Sequence, residues 1–199
     1  MEKEWKRVFN LKFINKKING LTFGIIQLFA TYNKELNHLY ITKEKLKEVK
    51  QIIIKKLNVS DKTAHRYIKQ LIDEDLIIET EEKNYIINAV DTNIDNYQKV
   101  NFNILECIVN NSINEFDLQI YVYLLNKFNY KNNYNFTLLE LSVAFGYSKS
   151  YRGNNNVKIK ESLKNLRSLN IINYKNEYIE KTIDKKKIPV SIFVLQNVK

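Results

Sequence analysis

The pattern of apolar and polar positions describes the same series of elements twice along the chain. Trp5–Ile14 and Tyr97–Glu106 each carry an aromatic residue, a basic residue and then alternating apolar positions, as strands do. Each is followed by a segment with few charges and apolar residues three and four positions apart, Leu21–Asn33 and Glu115–Asn129. That spacing predicts a largely buried helix after each strand.

A constant separation of 95 residues relates further positions of the two halves. The corresponding pairs are Thr42 and Thr137, Leu46 and Leu141, and the segments Ile68–Ile77 and Leu163–Ile172. A fixed offset over this length predicts an internal duplication with a polar linker between the copies. The expected domains are residues 1–90 and 97–199, joined by a linker over residues 91–96.

In the first copy, local signals predict two helices and a hairpin. Thr42 is suited to cap a helix over Lys43–Lys56, and Ser60 to cap a second helix that runs to about Asp75. Two short strands around a polar turn, Leu76–Asn88, close the copy. The predicted inward positions of the second helix are Ala64, Ile68, Leu71 and Ile72.

The two copies carry their extra residues in different places. The first cap and the turn lie 18 residues apart in copy one and 11 apart in copy two, so copy one has about two extra helical turns. The residues that mark these spacings are Thr42, Ser60, Thr137 and Ser148. Copy two instead has a Gly/Asn-rich stretch, Ser150–Asn156, which predicts a polar loop with Asn155 or Asn156 as the next N-cap.

The order of helix, turn, helix and β-hairpin resembles the winged-helix fold. The expected fold class is therefore α+β, mostly α, with two tandem winged-helix domains (each a helix-turn-helix plus a β-hairpin) related by internal duplication. Two linked winged helices of near-equal size resemble the initiators of plasmid and phage replication. Copy two resembles the N-terminal winged-helix domain of initiators from low-GC Gram-positive mobile elements. The segments that carry this likeness are Lys99–Leu105, Phe116–Asn129, Phe136–Ser148, Ile159–Ile172 and Ile188–Leu195.

The positive charge is concentrated in one part of the chain. The formal net charge is +10, of which residues 1–95 contribute +3 and residues 96–199 contribute +7. The stretch Ser148–Lys187 alone accounts for +7. Drift of base composition would spread lysines evenly, so this clustering favours a polyanionic partner, DNA ahead of an anionic membrane surface.

Exposed polar residues on the second helix of a helix-turn-helix are the type that reads the major groove. Arg66 could bond bidentately to guanine, while Lys62 and Lys69 would contact phosphates or base edges. The alternative is an ordinary solvated face. The candidate DNA-binding residues of copy one are Ser60, Lys62, Thr63, Arg66 and Lys69.

In copy two, a lysine cluster is predicted at or near the tip of the last hairpin, where it suits the phosphate backbone or the minor groove. The alternative is that these lysines keep an exposed hairpin soluble. The candidates are Lys149, Ser150, Arg152, Asn154, Asn155, Asn156, Lys158, Lys164, Lys181, Lys185, Lys186 and Lys187.

Acidic residues stand in two places where DNA contact would be expected. The first hairpin carries Glu79, Glu81 and Glu82 against Lys83, so it is predicted to face away from DNA and to serve dimerisation or packing against copy two. In copy two, Glu161 either contacts a cytosine amino group or indicates that the assumed helix phase is wrong.

The sequence predicts neither an enzyme nor a membrane protein. It has no GxxxxGK[ST] loop, no Cys/His pair at metal spacing and only two histidines, so no catalytic residue, metal or cofactor is expected. No apolar run reaches the length of a membrane span, and the N-terminus has no apolar signal core. A single cysteine, Cys107, fits a reducing cytoplasm.

The expected function is sequence-specific binding of double-stranded DNA, as an initiator that binds a replication origin of a plasmid or phage. One alternative is a winged-helix transcriptional regulator that binds a palindrome as a dimer. Another is a non-specific DNA-binding or protein interaction module of a replication or partition complex. A homodimer or a replisome protein is a possible further partner.

Overall fold

The structure, a computed structural model, describes residues 7–10, 19–33, 38–87, 97–100, 102–131, 134–147, 155–183 and 186–198. Within these ranges the fold is α+β with more helix than strand. The helices are α1 (Gly20–Phe29), α2 (Lys43–Leu57), α3 (Asp61–Asp73), α4 (Phe102–Val109), α5 (Glu115–Lys131), α6 (Leu138–Ala144) and α7 (Asn155–Ser168). The strands are β1 (Arg7–Asn10), β2 (Thr31–Asn33), β3 (His38–Ile41), β4 (Ile77–Glu79), β5 (Tyr85–Ile87), β6 (Tyr97–Val100), β7 (Tyr134–Phe136), β8 (Ile172–Ile183) and β9 (Lys186–Val198).

The strands form two small antiparallel sheets and one two-stranded antiparallel ribbon. The ribbon pairs β1 with β6. One sheet has the strand order β2-β3-β5-β4, and the other has the order β7-β9-β8. The chain divides into two compact units, residues 1–118 and residues 119–199.

In the first unit, a carboxylate from a distant part of the chain caps helix α1. Glu115, the first residue of α5, accepts hydrogen bonds from the N–H groups of Gly20 and Leu21 at 2.8 and 3.0 Å. Asn19 accepts from the next two N–H groups, through its side chain at 2.7 Å and its carbonyl at 3.4 Å. The N–H groups of the first three helical residues, which have no intrahelical acceptor, are thereby satisfied, and the Phe23 N–H makes the first regular helical bond.

The helices α2 and α3 are consecutive and joined by a tight turn. Asn58 caps α2 in the left-handed conformation (φ 50°), which asparagine tolerates better than most residues. Ser60 then caps α3 by accepting a hydrogen bond from the Thr63 N–H at 3.2 Å. An ion pair of 2.8 Å between Lys50 and Asp61 joins α2 to the first turn of α3.

In the second unit, the helix that corresponds to α2 is shorter, and the predicted turn at Ser148 lies outside the described residues. Helix α6 has seven residues where α2 has 15, in agreement with the two extra turns predicted for copy one. Gly146 adopts φ +74° after α6, a conformation that strains any residue with a side chain. An aromatic cluster joins the three strands β7, β9 and β8, with ring centroids of Phe136 and Phe193 5.2 Å apart and those of Tyr174 and Phe193 5.3 Å apart.

Several local features recur at a separation of 95 residues. The side chains of Thr42 and Thr137 both cap the following helix, each accepting from a backbone N–H at 3.1 Å. Asp75 and Asn170, which follow α3 and α7, have φ of 57° and 54°. The next residue in each case bonds back to the carbonyl five positions earlier, so the two helices end in the same way.

Two predicted elements have different bounds in the structure. The strand predicted over Tyr97–Glu106 ends at Val100, and Phe102 begins helix α4, because Ile104 and Ile108 are buried at helical spacing. The helix predicted over Leu21–Asn33 ends at Phe29 and is followed by strand β2. The predicted N-caps Asn155 and Asn156 are instead the first two residues of α7.

Strands β2, β3 and β7 were absent from the sequence-based prediction. They have three or four residues each, which is too short for an alternating pattern to stand out. The predicted helices α2 and α3 and the predicted hairpins β4–β5 and β8–β9 are confirmed. The predicted linker 91–96 lies outside the described residues.

The capping contact predicts that Glu115→Ala lowers the free energy of unfolding by about 1–3 kcal/mol, because two buried N–H groups lose their acceptor. Urea unfolding followed by circular dichroism measures this change. The matched control is Glu106→Ala, an exposed carboxylate on α4 that should cost at most about 0.5 kcal/mol. Equal effects of the two substitutions would contradict the capping role.

The pH dependence of the same contact has a definite sign. Burial raises the pKa of Glu115, and its two backbone hydrogen bonds lower the pKa by less. The folded protein therefore binds this proton more tightly than the unfolded chain does, which contributes stability below the unfolded-state pKa of about 4.3. As pH rises through the raised folded-state pKa, wild type should lose stability relative to Glu115→Gln. If urea titrations show the same change in the free energy of unfolding with pH for the two proteins across this window, the prediction is wrong.

Candidate nucleic-acid interface

Helix α3 buries one stripe of side chains and exposes a cationic face. Ala64, Ile68 and Leu71 have exposed fractions of 0%, 6% and 0%. The opposite side carries Lys62 and Arg66, both of which are exposed. The phase predicted for this helix is confirmed, and the exposed face contains Lys62, His65, Arg66 and Lys69.

Both acidic residues of α3 form ion pairs with lysines. Two cations of the exposed face form no such pair with a described residue. Asp61 pairs with Lys50 of α2, and Asp73 pairs with Lys69 at 2.9 Å one helical turn away. Lys62 and Arg66 form no ion pair with another residue that the structure describes. The Arg66 guanidinium lies 5.7 Å from the centroid of the neighbouring Tyr67 ring. These two cations are the groups of α3 best suited to bind an anion.

Ser60 and Thr63, both predicted to bind DNA, have a local structural role. Their hydroxyl groups lie 3.0 Å apart, and the Ser60 hydroxyl also accepts from the Thr63 N–H. This arrangement fixes the start of α3 and therefore the direction in which its first exposed residues project.

Helix α7 has the same division into a buried and an exposed face. Ile159, Leu163 and Leu166 are 0–1% exposed, whereas Lys160, Glu161 and Lys164 between them are exposed. Glu161 is on the exposed face, so its presence there does not come from a wrong helix phase. The other exposed residues between the start of α7 and its last turn are Val157, Lys158, Lys160 and Lys164.

The long hairpin β8–β9, here called the basic hairpin, follows α7 directly. Lys181 of β8 pairs with Ile188 of β9, and Lys187 and Lys186 pair with the last two residues of β8. These three lysines therefore occupy positions at the end of the hairpin, as predicted. At the other end of β8, the Arg167 guanidinium of α7 lies 4.9 Å from the centroid of the Tyr174 ring. This contact holds the last turn of α7 against the start of the hairpin.

Some predicted residues fall outside the part of the chain that the structure describes. These are Lys149, Ser150, Arg152, Asn154 and Lys185. Of the others, Asn155 and Asn156 occupy the first turn of α7, and Lys158 and Lys164 are exposed along it.

Lys160 and Lys175 are exposed cations that the sequence-based prediction did not include. Lys160 follows Ile159, the first residue of the buried stripe, and the 3.6-residue period would have assigned it to the solvent side. Lys175 lies on β8, directly after the buried Tyr174. With these two residues, the exposed cations extend from α7 onto the basic hairpin.

The hairpin β4–β5, here called the acidic hairpin, has the opposite charge. Glu79, Glu81 and Glu82 are exposed, with Lys83 beside them. Burial, and next the charge of Glu79, raise the pKa of the Tyr85 hydroxyl. Carboxylates in this position would repel phosphate, so this surface is a poor candidate for DNA contact.

Two kinds of site are missing from the described part of the chain. Its His, Cys, Asp and Glu residues include no group of three or more arranged to hold a metal ion. Nor does any helix in those ranges have the length and apolar character needed to cross a membrane.

Comparison of the chain with protein-family models, with curated proteins and with solved structures gives no match. The interface is therefore defined by its own geometry and charge.

We predict that Arg66→Ala lowers discrimination at one base position by roughly 1–3 kcal/mol, because a bidentate contact to guanine would be lost. Arg66→Lys is the matched control, since it keeps the charge without the planar fork and should retain affinity for random DNA. Competition binding with single-base variants of the target measures the discrimination. Equal loss on target and random DNA would show that Arg66 contacts only the backbone.

Replacement of Lys185, Lys186 and Lys187 by alanine should weaken binding similarly on all sequences. Each lost phosphate contact should reduce the slope of log K against log salt by about one unit. Lys83→Ala in the acidic hairpin should leave that slope unchanged. An unaltered slope in the triple variant would show that these lysines of the basic hairpin do not contact DNA phosphates.

Proposed function

We propose that the protein binds double-stranded DNA sequence-specifically through two winged-helix modules. In this proposal α2 with α3, and α6 with α7, are the helix-turn-helix pairs, and the two hairpins are the wings. The modules would be related by internal duplication. The supporting features are the order of elements in each unit and the helix caps and helix ends that recur 95 residues apart.

The observation that carries the proposal is the composition of the exposed faces of α3 and α7. A solvated helix face usually mixes both signs of charge so that they compensate. On α3 the acids are paired, while Lys62 and Arg66 have no described counter-charge. On α7, three exposed lysines accompany one exposed glutamate before the last turn. Exposed lysine and arginine side chains on the second helix of a pair suit base edges and phosphates in the major groove.

The second module is proposed to contribute most of the electrostatic attraction. The cations of α7 continue onto the basic hairpin, whose end carries Lys181, Lys186 and Lys187. A cationic hairpin beside the recognition helix suits the adjacent backbone or minor groove. The acidic hairpin of the first module lacks this feature, so the two modules would engage DNA differently.

The role proposed for this binding is replication initiation at an origin of a plasmid or phage, in the cytoplasm and without catalysis by the protein itself. Two unlike modules in one chain suit an asymmetric repeat that one chain recognises. A transcriptional regulator of the same fold would instead recognise a palindrome as a dimer.

Footprinting on fragments of the DNA that carries the gene for this protein tests the proposal. We expect several protected direct repeats, each contacted by both modules. The test variant is the double substitution Lys158→Ala and Lys164→Ala, which removes two exposed cations of α7 and leaves its buried stripe intact. This variant should lose protection at the footprinted concentration.

The other outcomes separate the alternatives. A single protected palindrome over a promoter would assign the same surface to a dimeric regulator. Binding to every fragment alike, abolished at moderate salt, would reduce the protein to a non-specific interaction module and contradict sequence-specific recognition.

A further inference from the structure

Strand β8 forms an open edge of the three-stranded sheet. The sheet order is β7-β9-β8, and the 12 residues of β8 pair with β9 on one side only. Among the residues that the structure describes, no strand pairs with its other side. An edge of this length presents a row of backbone N–H and C=O groups that can pair with another strand.

The side chains along this edge are also uncovered. Every residue from Lys175 to Glu180 is exposed. Tyr178 is 78% exposed and Ile179 is 37% exposed, which is unusual for large apolar side chains next to each other. Within the part of the chain that the structure describes, nothing covers the stretch Lys175–Glu180.

The charges on β8 are self-complementary in two symmetric registers, with the axis at Ile179 or at Asn176. When a strand pairs antiparallel with its own copy, residues opposite each other project from the same face, so the two-fold axis passes through one residue position. With the axis at Ile179, Glu177 of each chain lies opposite the position of Lys181 in the other. The register therefore contains two opposite-charge pairs, which stabilise antiparallel strands.

The neighbouring registers are less favourable. An axis at Tyr178 would place the positions of Lys175 and Lys181 opposite each other, and an axis at Glu177 or Glu180 would oppose two glutamates. An axis at Asn176 would also form two opposite-charge pairs, between Lys175 and Glu177, but it would extend the pairing to Ile172, beyond the bulge where β9 has an extra residue opposite β8. A bulge increases the local twist of a sheet, so the register centred on Ile179, which lies entirely on the regular side of it, is favoured.

We propose that β8 is a self-association surface that pairs antiparallel with β8 of a second copy of this chain, centred on Ile179. The two three-stranded sheets then join into one six-stranded sheet across the dimer. Backbone hydrogen bonds supply the general attraction, and the Glu177–Lys181 pairs select the register. This inference does not depend on DNA binding, so it can fail or succeed independently of the proposed function.

Sedimentation velocity over a range of protein concentrations, without DNA, measures the association. Wild type should show a concentration-dependent monomer–dimer equilibrium. Glu177→Lys and Lys181→Glu should each weaken the dimer by roughly tenfold or more, because each creates two like-charge pairs. Lys175→Glu is the matched control: it reverses a charge on the same strand outside the selected pairs and should leave the dimer largely intact.

A mixture of the two single variants tests the register most directly. In a heterodimer of Glu177→Lys with Lys181→Glu, both pairs again have opposite charges, so an equimolar mixture should dimerise although neither variant does so alone. Far-UV circular dichroism verifies that the variants fold. A protein that stays monomeric at all concentrations, a dimer insensitive to both reversals, or a mixture without rescue would overturn the proposal.

Discussion

Burial of one apolar stripe on α3 and on α7 decides which residues each unit presents to solvent. Ala64, Ile68 and Leu71 correspond to Ile159, Leu163 and Leu166 at the same separation of 95 residues, and all six are buried. Loss of this burial would cost several kcal/mol for each helix, far more than any single surface contact could recover. The orientation of the two helices, and with it the exposed cationic face, follows from the core.

The surface charges have unequal roles because some are already paired. Asp61 holds Lys50 and so fixes the start of α3 against α2, while Asp73 holds Lys69 on the helix surface. Exposed pairs of this kind contribute little to stability, so Lys69 can exchange its carboxylate for a phosphate at small cost. The second unit has fewer acids than the first, and its exposed cations lie along α7 and on β8.

Sequence reasoning identified the parts of the fold that carry strong local signals. The caps at Thr42, Ser60 and Thr137 and the 3.6-residue period of α3 sufficed to locate the helices and their faces. Strands β3 and β7 were not predicted, because the formation of a strand of three or four residues depends on its partners in the sheet rather than on a local pattern. Helix α4 was read as a strand because its apolar residues also fit an alternating pattern near its start.

The same distinction between local sequence signals and long-range contacts applies to the candidate site. The exposed residues of α3 and α7 follow from helical periodicity, whereas the pairing of Asp61 with Lys50 depends on the packing of two helices and has no sequence signature. The capping of α1 by Glu115 joins residues nearly a hundred positions apart and was likewise invisible to local patterns.

Amide chemical-shift mapping on isotope-labelled protein, during titration with a footprinted duplex, tests the central claim most directly. The claim is that the exposed faces of α3 and α7 and the basic hairpin contact DNA. It predicts the largest shift changes in residues 61–69, 157–168 and 175–183, with little change in the acidic hairpin. Changes confined to α1 and α4, or no saturable change on a specific duplex, would contradict it.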